Sequence, residues 1–340
     1  CSQSRGLGDV YKRQKAGWIL LLEAWFRDYR CVVADLSARR LAALSYHPDA
    51  RGVPPVQSIG FYLVFHRSKL APRTLETKII EEGGIMLRDL SNKVAWITGA
   101  GTGIGEGAAV ALSEAGMRVV LSGRRIDKLE EVAGRCSGEV LIEVLDVADK
   151  NAVGDVAEKI IDRFGRLDVL VASAGINVKN RNWHDVSLED WDSVIRIDLD
   201  GAFYCCKAVL PIMKKQRDGL IINISSWAGK HVSVVTGPAY TAAKHAMNAM
   251  NESINMEACS YGVRACAICP GEVATPILDN RPIPVSDDDR AKMVQSEDCG
   301  EVIRFLARLP NHVCINDLTI SPTWNRGYVA SAKAQIPQPD

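Results

Sequence analysis

The sequence lacks any excess of charge: its 340 residues carry 41 lysines and arginines against 41 aspartates and glutamates. With no global field of either sign, neither nucleic acid nor a membrane is expected as a partner, and binding has to be sought at individual sites. Long apolar runs are also missing. The longest near the start, Trp18 to Leu22, closes at Glu23, far short of the ~20 residues a membrane helix requires. No secretory signal pattern is present, so the ten cysteines read as thiols of a reducing cytoplasm rather than as a disulfide framework. Cys266 and Cys269 form a C-x-x-C within a strand-like segment. Side chains three apart on a strand point to opposite faces, so this pair suits core packing, and no metal site is expected.

What is present is the composition of a globular protein, 47% hydrophobic and 24% charged. Order along the chain is uneven. Residues 1–85 show no sustained hydrophobic period and no clear caps. Residues 1–14 resemble a translated sequencing-adapter tail at the edge of a bacterial metagenomic reading frame, and 15–85 read as leader read-through or a disordered extension. Glu81-Glu82-Gly83-Gly84, whose codons can spell a purine-rich ribosome-binding site, precede Met86, and translation is expected to begin there. A genuine N-terminal extension is the open alternative.

From residue 90 onward, strand-like and helix-like segments alternate. Strands are predicted at 93–98, 118–122, 140–145, 169–172, 220–224, 263–268 and 317–321, with helices at 103–115, 126–135, 151–164, 188–214, 238–261 and 296–309. Such βα repetition predicts an α/β fold: a single doubly wound, Rossmann-type domain over 86–324, with a parallel sheet of about seven strands and helices on both faces. Residues 325–340 read as a C-terminal tail.

Between the first strand and first helix stands Thr98-Gly99-Ala100-Gly101-Thr102-Gly103-Ile104-Gly105. Glycines allow a tight turn and close approach of backbone to a pyrophosphate, which the helix N-terminus attracts. Gly99, Thr102, Gly103, Ile104 and Gly105 are therefore candidate dinucleotide-binding residues. The second strand ends at Gly123-Arg124-Arg125, where an NAD-binding protein places an acid for the ribose hydroxyl. No acid stands there. Arg124 and Arg125 instead suit a 2′-phosphate, which favours NADP over NAD, a solvated basic turn being the alternative. Asp146, after the third strand, can accept a hydrogen bond from the adenine amino group while Val147 lends its backbone; a helix-capping role for the acid stays open.

Tyr240-Thr241-Ala242-Ala243-Lys244 opens a predicted helix, and residues four apart share one helical face. The nearby ammonium is expected to lower the phenol from its ordinary pKa of about 10 and fit it for proton transfer. Upstream, the apolar strand Ile221-Ile222-Asn223-Ile224 runs into Ser225 and Ser226, and Ser226 can hydrogen-bond a substrate oxygen as charge develops.

Taken with the glycine turn, these residues resemble the short-chain dehydrogenase/reductase family over essentially all of 86–324. The resemblance implies that Tyr240 is the acid/base, that Ser226 orients substrate, and that Lys244 holds the nicotinamide ribose and tunes Tyr240. It implies a cofactor contact from Pro270 and Gly271 after the sixth strand, with Val273 and Thr275 at the nicotinamide carboxamide, and another from Ala174 and Gly175. Two departures stand out. Ala172-Ser173-Ala174-Gly175 replaces the family's Asn-Asn-Ala-Gly, and Asp198 stands where the family has an asparagine that helps hold a water in a proton relay to the lysine. Asp198 is therefore a fourth candidate for the catalytic set, expected to raise the lysine pKa.

The implied activity is NADP(H)-dependent interconversion of a small-molecule carbonyl and alcohol, by a homodimer or homotetramer. An inactive NADP-binding regulatory protein, and an epimerase or dehydratase using bound NAD, remain as rivals. Residues 276–289 lie where the family closes over substrate. There Arg281 either grips a carboxylate or is solvated, and Trp183, His184 and Trp227 are candidate pocket residues.

Overall fold

The computed structural model describes residues 87–335. The expectations for residues 1–86, Met86 included, and for the last five residues lie outside the described part. Seven strands form one sheet: β1 (Val94–Thr98), β2 (Arg118–Gly123), β3 (Val140–Val144), β4 (Val169–Ala172), β5 (Gly219–Ile224), β6 (Val263–Pro270) and β7 (Asp317–Ile320). Their order is β3-β2-β1-β4-β5-β6-β7, and every neighbouring pair is parallel. The order reverses between β1 and β4, and at such a switch point a crevice opens beyond the carboxyl ends of the strands.

Nine α-helices complete the described chain. They are α1 (Gly103–Glu114), α2 (Ile126–Ala133), α3 (Lys150–Phe164), α4 (Leu188–Ile195), α5 (Gly201–Gln216), α6 (Pro238–Ala258), α7 (Asp287–Arg290), α8 (Ser296–Arg308) and α9 (Arg326–Gln335). Two apolar cores form because a central strand buries both faces. Ala95 and Ile97 of β1 pack with Leu112 of α1, Leu129 of α2 and Ile303 of α8. Val94 and Trp96 join Ile160 of α3, Val209 of α5 and Met247 of α6 on the opposite face. The near-continuous apolar strands, all five residues of β1 buried, follow from this two-sided cover. None of the described helices is long and apolar enough to cross a membrane.

Three places differ from the sequence expectation. The helix predicted over 188–214 is interrupted by a π-helical turn, Arg196–Asp200, between α4 and α5. Its wider turn sets Asp198 inward, fully buried, where Oδ1 accepts the Ile176 N–H at 2.7 Å. A hydrophobic period does not register one extra residue in a turn. The expected tail carries α9, tied down where Arg326 donates to Glu272 and Asp289. α7 is a single turn capped by Ser286, whose Oγ accepts the Asp289 N–H at 3.2 Å. Of the cysteine pair, Cys266 enters the first core while Cys269 faces Asn248 at 3.7 Å, and neither is in a disulfide.

Candidate active site

The crevice at the sheet's carboxyl edge is a cleft of about 1150 Å³, at the upper end of what ligand pockets occupy and large enough for a dinucleotide with a small substrate. Its floor is the turn after β1. Gly99 and Gly103 have φ of +64° and +63°, a left-handed conformation that other L-residues adopt only with strain. A Cβ on Gly99 would also come within 2.8 Å of the Ala174 backbone. The backbone turns tightly here and delivers the N-terminus of α1, with Thr102 as its extended N-cap, to the cleft wall beside Ile104. These features fit a nicotinamide dinucleotide: a tight glycine turn that lets backbone come close to it and a helix N-terminus for the pyrophosphate. Gly105 was expected among the binding residues but does not line the cleft. A Cβ there would sit 2.4 Å from the Gly99 carbonyl oxygen, so its part is to let α1 pack under the turn.

Arg124 and Arg125 stand exposed and line the cleft, as do Asp146 and Val147. Neither arginine is engaged in an ion pair among the described residues, which leaves both guanidinium groups available to a phosphate. Asp146 Oδ1 accepts the Ala148 N–H at 3.0 Å, an arrangement that steadies the loop and keeps Oδ2 open. Ala174 and Gly175 follow β4 on the floor, and Pro270, Gly271, Val273 and Thr275 close the far wall after β6. A Cβ on Gly103 would meet Thr275 Cγ2 at 3.0 Å, so the glycine turn and the segment after β6 pack directly together.

The proton-transfer group sits between β5 and α6. Pro238 at the first helical position starts α6, which puts Tyr240 in its first turn and Lys244 one turn later. Lys244 is 4% exposed, and its Nζ donates to the Ile224 carbonyl at 3.1 Å. It lies 5.3 Å from the Tyr240 ring centroid and 3.3 Å from Asp198 Oδ2. Ser226 ends β5. Its Oγ accepts the Ala228 N–H at 3.1 Å, and its hydroxyl hydrogen is in reach of the Tyr240 phenol or of an oxygen bound beside it.

The charge balance of this group differs from expectation at Tyr240. Burial pushes the phenol above its ordinary value, and Asp198 adds to the rise; Lys244 and the Ser226 hydroxyl oppose it without reversing it. The ammonium thus acts in the expected direction but is outweighed, because a phenolate in this site is poorly solvated and a second anion is nearby. For Lys244 burial works against the charge, yet attraction to Asp198 and to Tyr240 raises it overall. Burial likewise raises the Asp198 carboxyl, with Lys244 and the Ile176 N–H acting against it.

Of the expected substrate-pocket residues, Trp227 lines the cleft, its ring edge-to-face with His231 and Tyr328 at 5.5 Å each. Trp183 is 84% exposed and His184 is equally turned to solvent, so neither contributes. Arg281 is not solvated; its Nη1 donates to Glu272 Oε1 at 2.6 Å. Arg326 of α9 grips the same carboxylate. Burial works against the charge of Glu272, but the two guanidinium groups hold it below the usual carboxylate range. Glu272, Arg326, Tyr328 and the buried Arg181 all line the cleft, and none was singled out from the sequence. No local pattern marks Arg181, and α9 became visible only with its ion pairs.

Comparison with known proteins places this geometry. Residues 93–283 match the family model described as short chain dehydrogenase. An uncharacterised oxidoreductase of Staphylococcus epidermidis is 33% identical over 233 residues, 68% of this chain and 98% of the relative. An alcohol dehydrogenase from the archaeon Thermococcus sibiricus, solved with 5-hydroxy-NADP, is 30% identical with a TM-score of 0.62 and covers 69% of this chain and 98% of its own. A metagenomic short-chain oxidoreductase in complex with NADP, also 30% identical, has a TM-score of 0.60 over 70% of this chain and all of its own. The chain therefore belongs to the short-chain dehydrogenase family and is an oxidoreductase of the kind that acts on CH–OH donors.

Proposed function

We propose that the protein interconverts a small-molecule carbonyl and its alcohol with NADP(H), using Tyr240 as the acid/base. The observation that carries the reading is the convergence of Ser226, Tyr240 and Lys244 on the same cleft that the glycine turn opens. Bound along that cleft, NADPH supplies the hydride. Ser226 donates its hydroxyl hydrogen to the substrate oxygen and aims the carbonyl. Tyr240, whose phenol burial and Asp198 raise above its ordinary value, hands its proton to that oxygen in reduction and takes it back in oxidation. Lys244 stays cationic through Asp198, so it can hold a ribose hydroxyl and limit the cost of a transient phenolate at Tyr240. Preference for NADP rests on Arg124 and Arg125 beside the neutral Gly123 and is supported by two similar solved proteins that hold NADP or a derivative of it.

The same reading takes the protein as a cytoplasmic homodimer or homotetramer. The eight described cysteines without disulfides support the first part. Exposed Phe203 on α5 and Phe305 on α8 offer apolar points at which a second copy can pack. Assay of a panel of ketones, aldehydes and alcohols with NADPH and NADH tests the central reading: turnover with NADPH is expected, and a protein that binds NADPH yet turns over no carbonyl or alcohol would contradict it.

A further inference from the structure

Arg181 is 5% exposed, and among the described residues no carboxylate pairs with it. Its Nη1 donates to the Val235 carbonyl at 3.4 Å and its Nη2 to the Asn280 carbonyl, while Nε is buried with no hydrogen-bond partner. It lines the cleft and is near enough to Tyr240 for each to act on the other's charge. Two other arginines lining the cleft are occupied differently. Arg281 and Arg326 converge on Glu272, and Arg326 also reaches Asp289 at 3.3 Å. Arg181 alone among these three is a buried cation without an anion.

Arg264, equally buried and with no paired carboxylate among the described residues, ties backbone carbonyls together away from the cleft; Arg181 differs in lining the cleft beside Tyr240. Its side chain is not adrift. Asn177 donates to the Thr236 carbonyl at 3.0 Å, and Asn280 donates to the Asn177 carbonyl at 3.2 Å, which lashes the loop before α4 to the loops before α6 and after β6. Gly237 allows the closest approach: a Cβ there would lie 2.2 Å from the Arg181 carbonyl oxygen. A charged group has been fixed in place and desolvated at the cleft wall, with no anion beside it among the described residues. Such a site gains most from a planar anion that can meet the guanidinium edge facing the cleft. Each Nη has spent one N–H on a carbonyl and keeps a second, so the two free N–H groups can meet the two oxygens of a planar carboxylate.

We propose that Arg181 binds a carboxylate carried by the substrate, so that the substrate class is an oxo acid and the corresponding hydroxy acid. The proposal rests on the reading of the cleft as a carbonyl-reducing site. Arg181 is then a specificity-determining residue that sets which carbonyl compounds present their oxygen to Tyr240 and Ser226, the spacing between carboxylate and carbonyl being the selected quantity.

The test uses the full chain with NADPH and three acids of increasing spacing, pyruvate, acetoacetate and levulinate, each beside its methyl ester. At least one acid is expected to exceed its ester in kcat/KM by roughly 100-fold, the range of a charge-assisted pair. Arg181→Gln is expected to remove that preference, mainly through KM for the acid, so that the acid-to-ester ratio of kcat/KM falls toward one. Arg181→Lys restores part of it. Equal handling of acid and ester by the unsubstituted protein, or an equal loss of both in Arg181→Gln, overturns the proposal. Thermal stabilisation of the NADP-bound protein by acid against ester provides a readout without turnover. Acid-selective stabilisation lost in Arg181→Gln supports the carboxylate site even if no carbonyl is reduced, a result that would sink only the proposed reaction. Absence of any acid-selective stabilisation overturns the site itself.

Discussion

Asp198 Oδ2 lies 3.3 Å from Lys244 Nζ, in a position where it makes no hydrogen bond, while Oδ1 accepts the Ile176 N–H at 2.7 Å. One oxygen holds the loop after β4 and the other sets the field at the lysine. An asparagine in its place would keep the first contact and lose the second. Asp198→Asn is therefore expected to leave the fold intact. It removes the anion that raises both Lys244 and Tyr240, so both groups release their protons at lower pH. Alcohol oxidation needs the phenolate, and its rising limb moves toward acid. Carbonyl reduction needs the phenol, and its alkaline fall moves the same way. Profiles of kcat/KM against pH in both directions check this; superimposable curves for the two proteins would remove Asp198 from the site's proton chemistry.

At the other end of the cleft, Arg124 is exposed and among the described residues pairs with no acid. If it meets the 2′-phosphate, Arg124→Ala removes a charge-assisted hydrogen bond, worth about 1.5–3 kcal/mol. KM for NADPH is expected to rise by about 10- to 100-fold, with KM for NADH unchanged. A parallel rise for both cofactors would reassign the residue to general electrostatics.

Stability is anchored at the opposite edge of the sheet by Asp168. This carboxyl is 4% exposed, accepts the Val94 N–H at 2.9 Å, and pairs with Arg166 at 2.6 Å and Lys93 at 3.3 Å. Burial opposes its charge, but these partners hold its pKa below the ordinary value. Its contribution is accordingly complete above the unfolded carboxylate pKa of about 3.9 and is lost as pH falls through the lower folded value. Asp168→Asn is expected to cost about 3 kcal/mol at neutral pH. It should also flatten the acid limb of stability measured by denaturant unfolding, without changing KM for NADPH.

Much of the fold was legible in the sequence because the sheet is buried on both faces. Runs such as Val94–Thr98 and Gly219–Ile224 are short, apolar and bounded by turn residues, and the helices between them carry clear apolar faces. The glycine turn and the spacing of Ser226, Tyr240 and Lys244 were visible for the same local reason: each is a few residues wide. What stayed hidden depends on contacts across the chain. The π turn at Asp198 is set by Ile176, and α9 by the pairing of Arg326 with Glu272. The isolation of Arg181 is a property of three loops, and no window of sequence contains it. The sign of the Tyr240 shift was hidden as well, since spacing reveals the helpful Lys244 but not the burial that outweighs it.

The most direct measurement is NADPH oxidation with the best carbonyl substrate of the panel, compared between the unsubstituted protein and Tyr240→Phe. Tyr240→Phe keeps the ring beside Lys244 and loses only the ionisable hydroxyl. A fall in kcat of about 10²- to 10⁴-fold, with NADPH affinity retained, is the expected result. Turnover undiminished by the change would contradict the assignment of Tyr240 as the acid/base and with it the proposed chemistry.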